Sequence, residues 1–385
     1  MTAEGPAGLT ERAQEWAATM DGHAAGGIRR AHADSHAKVG TTDLLDREAR
    51  EAAEDALLAP GATRARGSGR REREEEPDPT RTCFERDRDR ILHGTTAFRR
   101  LAGKTQVFIF PEDHQRTRLT HALEVAQVAT GIARACRLNV ALTEAIALGH
   151  DCGHGPFGHA SEDAFAPLLP GGFDHAVWGA DVVLRPLNLC EETLDGIRNH
   201  SWSRPAPSTP EGEVVSWADR IAYVCHDFED AVRAGIVTPA MLPPVVAERC
   251  GTQRSRQLHA FISGVIDATL ATGEVGMAEP LADALAEFRA FNYEQIYMRP
   301  ASVAQGEIVV RVLQALVERY ADRPNTLPGL EVPHLTDGLP AGSPEAVREA
   351  VAYVAGMTDR FAFGQAVALL GWDPSALPAG LDLAR

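Results

Sequence analysis

Between residues 149 and 162 the chain reads Gly149-His150-Asp151-Cys152-Gly153-His154-Gly155-Pro156-Phe157-Gly158-His159-Ala160-Ser161-Glu162. Imidazole nitrogen and carboxylate oxygen together suit divalent first-row ions. His150 and Asp151 follow the apolar run 140–148 directly, where they make a poor packing unit and a good pair of metal donors. His159 and Glu162 are three residues apart, and a carboxylate that orients an imidazole fits general acid/base work. The plainer reading of Glu162 is an acid in the favourable first turn of a helix.

Two further segments carry matching chemistry. From Arg118 the apolar residues Leu119, Ala122, Val125, Ala126, Ala129, Ile132, Ala133 and Cys136 recur at helical spacing, and His121 borders that face. Over 212–230, Asp219, Tyr223 and Asp227 stand four apart, forming one stripe beside an apolar face and fit to line a polar cleft. His121, His150, Asp151 and Asp219 would together offer two nitrogens and two carboxylates, with positions left open for water and phosphate oxygens. For His121 and Asp219, spacing alone leaves the metal reading and a structural reading equally open.

The elements that must bring these segments together are helical. Alanine and leucine abound, long alternating β-branched runs are scarce, and only 6% of the 385 residues are aromatic, so an all-α protein is expected. Helices are expected from Arg118, from Val140 into His150, over 181–199 with a break at Pro186, and over 212–230. Others are expected over 256–270, 280–291, 303–320 and 344–358, with a loop over 325–339. Residues 1 to about 60 read as short, weakly packed helices near 9–16 and 44–50. Residues 60–79 mix Gly, Ser, Pro, Arg and Glu without apolar periodicity and read as a mobile linker, so order is expected from about Arg81.

The net charge of −16 argues against nucleic acid as a main partner. The six cysteines form no CxxC pair, which points to reduced thiols in the cytoplasm. No apolar run is long enough to span a bilayer, and no basic-then-apolar leader opens the chain. Gly103-Lys104-Thr105 looks like the end of a phosphate-binding loop, but Phe98 stands where that loop needs glycine.

From about Arg81 to the C-terminus the chain resembles the deoxyguanosinetriphosphate triphosphohydrolase-like proteins of the HD superfamily of metal-dependent phosphohydrolases. The resemblance rests on Arg86-Asp87-Arg88-Asp89-Arg90-Ile91-Leu92, Lys104-Thr105-Gln106-Val107-Phe108 and Arg118-x-Thr120-His121-x-x-Glu124-Val125. It continues through the string from His150 to Glu162, Ala218-Asp219-Arg220-Ile221-Ala222-Tyr223 and His226-Asp227, then Tyr297-Met298-Arg299-Pro300 and 353–360. Cys152 and Gly155 depart from some relatives. Residues 1–80 have no recognised counterpart.

The resemblance implies an HD-domain helical bundle over 81–385, with its metal-site core at about 115–235 and additional C-terminal helices over 236–385. It assigns His121, His150, Asp151 and Asp219 as ligands of a divalent ion, with Mn, Mg, Fe and Co all open. His159 and Glu162 become a catalytic dyad, with His154 lining the phosphate site. Arg118 would neutralise a phosphate, Tyr223 and Asp227 would contact sugar or phosphates, and Gln106 would lie near the nucleoside. The implied reaction splits a deoxynucleoside triphosphate into deoxynucleoside and inorganic triphosphate, by attack of water at the α-phosphorus. A homo-oligomer, with a hexamer as one form, and an activating allosteric nucleotide are implied too. The alternatives are an HD phosphohydrolase or nucleotidase acting on another nucleotide, and a slow nucleotide-sensing module.

Overall fold

The computed structural model describes residues 10–107, 115–327 and 339–378, and the chain divides into two compact units, 1–45 and 46–385. The first holds α1 (Glu11–Thr19) and a hairpin of β1 (His23–Ala25) and β2 (Ile28–Arg30). Gly26 and Gly27, both at positive φ, make the tight hairpin turn. No residue of α1 is buried, as its few apolar residues foretell.

The second unit is helical, as expected. Its helices are α2 (Arg47–Leu57), α3 (Cys83–Gly94), α4 (Thr96–Arg100), α5 (Arg118–Ala135), α6 (Val140–Gly149) and α7 (His159–Phe165). Then come α8 (His175–Trp178), α9 (Glu191–Asn199), α10 (Pro210–Arg233), α11 (Pro244–Cys250) and α12 (Arg254–Thr272). Among the described residues the last four are α13 (Glu279–Asn292), α14 (Pro300–Ala321), α15 (Pro344–Ala355) and α16 (Asp359–Leu370). Among the described residues no helix is long and apolar enough to cross a membrane. The loop expected over 325–339 falls mainly outside the described residues.

The starts of the site-bearing helices are written in the sequence. Thr117 and Thr120 form a reciprocal cap on α5, and Asn139 caps α6 by accepting from the Leu142 amide at 3.1 Å. Thr209 caps α10, whose first residue, Pro210, suits a position that needs no amide hydrogen. One apolar core gathers α3, α5, α6, α10, α12 and α13 around Ile91, Ile132, Ile146, Ile221 and Phe261. A second joins Phe157 and Phe165 to α14, α15 and α16 through Leu313, Leu316, Val351 and Phe363. The turn 149–158 lies between the helices of these two cores.

One boundary differs from the sequence reading. Residues 60–79, expected as a mobile linker with order only from about Arg81, are fastened to the helical body. The Thr63 amide and hydroxyl donate to buried Glu211 at 3.0 and 2.7 Å. Arg71 donates to the fully buried Asp87 at 2.6 Å, and the Arg73 amide donates to Asn188 Oδ1 at 2.9 Å. Glu75 accepts from Arg86 at 2.8 Å. The interleaved charges that read as a solvated linker find opposite charges on α3 and in the loop before α9. A buried ion pair is stable only when both partners stay bonded.

Candidate metal centre and active site

His121 sits in the first turn of α5, and His150 and Asp151 follow the end of α6. Asp219 projects from the middle of α10. The donor atoms of His121, His150 and Asp219 lie within 4.8 Å of one another, as do those of His150, Asp151 and His200. His121 Nε2 is 3.0 Å from Asp219 Oδ1, and His150 Nε2 is 3.8 Å from that oxygen and 3.4 Å from Asp151 Oδ1. Three of the four residues expected as ligands thus form one group, and the fourth, Asp151, belongs to a second group with His200, joined to the first through His150. Asp151 is also engaged elsewhere: its Oδ2 accepts from Arg118 Nη1 at 2.8 Å, and its Oδ1 lies 3.2 Å from His154 Nε2.

Two features fit these donors to a cation. His150 Nδ1 donates to the Ala147 carbonyl at 2.7 Å, which fixes the tautomer and leaves Nε2 as a bare lone pair. That Nε2 is buried with no hydrogen-bond partner. The second feature is the Asp219 carboxylate, which favours positive charge beside it. Burial works against the charge of Asp219, yet the hydrogen bond from His121 and the neighbouring His150 hold its carboxyl well below the usual range. Burial likewise opposes charge on His121, and the Asp219 carboxylate outweighs it, raising that imidazole above its ordinary value. Positive charge is favoured at this spot.

The second cluster is His154, His159, Glu162 and His175. Glu162 Oε2 accepts from His159 Nδ1 at 2.8 Å, and its Oε1 accepts from His175 Nδ1 at 2.7 Å and from the His175 amide at 2.9 Å. His154 stacks on His175 at 3.7 Å between ring centroids. Burial, then Arg118 and His175, push the His154 imidazole well below its ordinary value. For His175 burial also opposes charge, but Glu162 prevails and the imidazole is raised. His175 Nε2 meets His200 Nε2 at 3.3 Å. His200 donates from Nδ1 to the Ile197 carbonyl at 2.8 Å and is pushed down to about 4 by burial and by His150 and His175. With its Nδ1 hydrogen given to Ile197, His200 presents Nε2 to His175 as an acceptor. The His159 side chain is 72% exposed, so its Nε2 is open to a ligand.

Both clusters face one cavity of about 1050 Å³. The remaining residues expected from the sequence, Arg118, Gln106, Tyr223 and Asp227, all line it. Gln106 Oε1 is buried without a partner. Tyr223 accepts from Arg289 Nε at 2.7 Å. Asp227 Oδ2 accepts from the Tyr297 hydroxyl at 2.6 Å, while burial pushes its carboxyl up to about 7. Arg118, expected to neutralise a phosphate, is buried and already bonded to Asp151.

Sequence reasoning missed His175, His200, Arg220, Arg289 and Tyr297. Arg220 lies 3.4 Å over the Trp202 ring, with its Nε buried and unpartnered, and Trp202 is anchored through Nε1 to the Ser216 carbonyl at 3.0 Å. Histidine density held a usable signal, since seven of the fourteen histidines fall within 121–226. Arg289 had none, because nothing local marks it apart from any charged residue on an amphipathic helix.

The chain matches the HD domain over residues 118–224 and the phosphohydrolase-associated domain over 275–366. The first match spans α5 to α10, which carry every ligand candidate. The chain therefore belongs to the HD-domain phosphohydrolases. Within them it belongs to the deoxyguanosinetriphosphate triphosphohydrolase-like proteins. It is 44% identical over 323 residues to such a protein of Caldanaerobacter subterraneus subsp. tengcongensis, covering 82% of this chain and 93% of the relative. It is 39% identical over 340 residues to one of Desulfatibacillum aliphaticivorans, covering 82% and 95%. With one of Clostridium perfringens it shares 41% identity over 298 residues, covering 73% and 84%.

Proposed function

We propose that this chain is a metal-dependent deoxynucleoside triphosphate triphosphohydrolase, which cleaves a dGTP-like substrate to deoxynucleoside and inorganic triphosphate. The observation that carries the reading is the single cavity shared by the His121/His150/Asp219 donors, the His159–Glu162–His175 chain and the guanidiniums of Arg220 and Arg289. Its volume is at the upper end for small-molecule sites.

His121, His150, Asp151 and Asp219 would hold the divalent ion. When bound, that ion supplies positive charge that offsets the phosphoryl oxygens and activates water. Arg220 and Arg289 take the anionic tail of the substrate. Tyr223 and Asp227 face the sugar, where the phenol crowds the 2′ position. Glu162 holds the Nδ1 proton of His159 and so directs His159 Nε2 toward the cavity. Nε2, when protonated, gives its proton to the departing 5′-oxygen, a poor leaving group without it. His175 keeps Glu162 charged and in place.

The test is chromatography of the products formed from each deoxynucleoside triphosphate with Mg or Mn. Inorganic triphosphate and deoxynucleoside are expected, and ribonucleotides should react more slowly. Orthophosphate or pyrophosphate as first product would assign the site to a different nucleotide reaction. Tight nucleotide binding without turnover would make it a sensor.

A further inference from the structure

We propose that Asp359, from the C-terminal helices, is a positioning residue for the histidine turn: it ties Thr105 to Phe157 and thereby sets where His154 and His159 face the cavity. This rests on the reading that His159 acts on the substrate.

Asp359 is the first residue of α16 and is 2% exposed. Its Oδ2 accepts from the Thr105 amide at 2.7 Å and the Thr105 hydroxyl at 2.6 Å, and its Oδ1 accepts from the Phe157 amide at 2.7 Å. Both carboxylate oxygens are thus used, one on Thr105 and one on Phe157, and both of those residues line the cavity. Such charge-assisted bonds are stronger than neutral ones. The residue before Thr105 repeats the tie. Lys104 Nζ, also buried, donates to the His154 carbonyl and to the Ala355 carbonyl at the end of α15. The two chain segments approach so closely that a Cβ on Gly103 would stand 2.7 Å from Thr358 Cγ2.

What the tie holds is strained. Phe157 has φ of 61°, a left-handed value that costs a non-glycine residue energy and persists only where neighbours impose it. Its neighbours are the Asp359 carboxylate on its amide and Phe363 of α16 against its ring, at 4.4 Å between centroids. Two residues on, His159 opens α7. A shift of Phe157 is therefore carried into His159, and a shift of the Lys104 ammonium into His154. Asp359 is not among the cavity-lining residues and acts through the turn.

The experiment uses the full-length, metal-loaded protein. Asp359→Asn keeps the shape, but its amide group turns a donor toward either the Phe157 or the Thr105 amide. We expect kcat to fall on the order of 30-fold, as for other sub-ångström misplacements of reacting groups. KM should stay within about 3-fold, metal content should be unchanged, and the 15N ring signals of His154 and His159 should move. Thr105→Val removes one of the three bonds and should lower kcat by about 5-fold, whereas Thr105→Ser keeps the hydroxyl and should stay within about 2-fold of wild type. A folded Asp359→Asn protein with kcat within about 3-fold of wild type, or with unmoved histidine signals, overturns the proposal. So does a rise in KM at constant kcat. If Asp359→Asn does not fold, equal kcat and equal ring signals in the two Thr105 variants overturn it instead. If wild type turns over no deoxynucleotide, the functional reading fails, while the ring signals of Thr105→Val against Thr105→Ser still test the tie.

Discussion

Gly158→Ala should be among the most damaging methyl additions this chain can receive. Gly158 has φ of 62° and ψ of −125°, a combination that side chains rarely adopt, at a cost of about 1–3 kcal/mol. A Cβ there would stand 2.1 Å from Arg118 Nη2 and 2.9 Å from its Cζ. Arg118 has little freedom to retreat, because it is 2% exposed and bonded to Asp151 at 2.8 Å. Accommodating the methyl group means breaking that buried pair, which typically costs about 3–5 kcal/mol. The sum is on the order of 4–8 kcal/mol, with Asp151 deprived of its cationic partner. Gly172→Ala isolates the backbone contribution, since Gly172 has φ of 73° and a methyl group there would meet nothing within 4 Å. Gly171→Ala, with no positive φ and open space, should be neutral. Denaturant unfolding of the three variants should place Gly158→Ala several-fold below Gly172→Ala. Equal losses for those two would refute the steric argument and free Arg118 from its assigned rigidity.

Other outcomes follow from the same geometry. Chelation of the metal should abolish turnover and lower the melting temperature, and adding Mn or Mg back should restore both; a fully active metal-free protein would remove the cation from the site. His159→Ala should cost at least about 100-fold in kcat while metal content stays the same, and unchanged turnover would strike His159 from the mechanism. Asp227→Asn should stabilise the protein at pH 8 and not at pH 4. The Asp227 carboxyl is pushed from its ordinary 3.8 to about 7 in the folded state, mainly by burial. Below about pH 4 the group is protonated folded or unfolded and costs nothing; as pH rises to 7 only the unfolded chain ionises freely, so stability falls by an amount on the order of 4 kcal/mol. A melting difference between Asp227→Asn and wild type that is the same at both pH values would sink that account.

The parts of this molecule that were legible in its sequence are those with local causes. The apolar spacing from Leu119 to Cys136, the Asn139 and Thr209 caps and the histidine string each act within a few turns, and they mark α5, α6, α10 and the turn after α6. The illegible parts depend on partners far along the chain. Thr63 meets Glu211 across 148 residues and Thr105 meets Asp359 across 254, so neither end shows a pattern by itself. Residues 60–79 misled for a related reason: their composition is that of a solvated chain, and only Asp87, Asn188 and Glu211 convert it into an ordered one. His175 and His200 stand singly in sequence, where an isolated histidine reads as a satisfied core residue. Their role emerges only once α8 and α9 bring them against Glu162 and His150.

The stripe on α10 explains why one helix dominates the proposed chemistry. Asp219, Arg220, Tyr223 and Asp227 all reach the same cavity, and on one rigid element their separations are fixed by the helical rise, about 1.5 Å per residue. Asp219 faces the cation donors, Arg220 is held flat against Trp202, Tyr223 shares its hydroxyl with Arg289, and Asp227 pairs with Tyr297. In the proposed chemistry, cation, anionic tail and sugar would thus be addressed in sequence along about two turns. Each group is also steadied by a residue outside the helix, and a site built this way loses less precision than one carried on loops. It follows that a substitution bending α10 between Ile221 and Cys225, such as Ala222→Pro, would separate Asp219 and Arg220 from Tyr223 and Asp227. Metal binding and sugar selection would then be lost together, whereas truncating Tyr223 alone should relax the sugar preference and leave the metal in place.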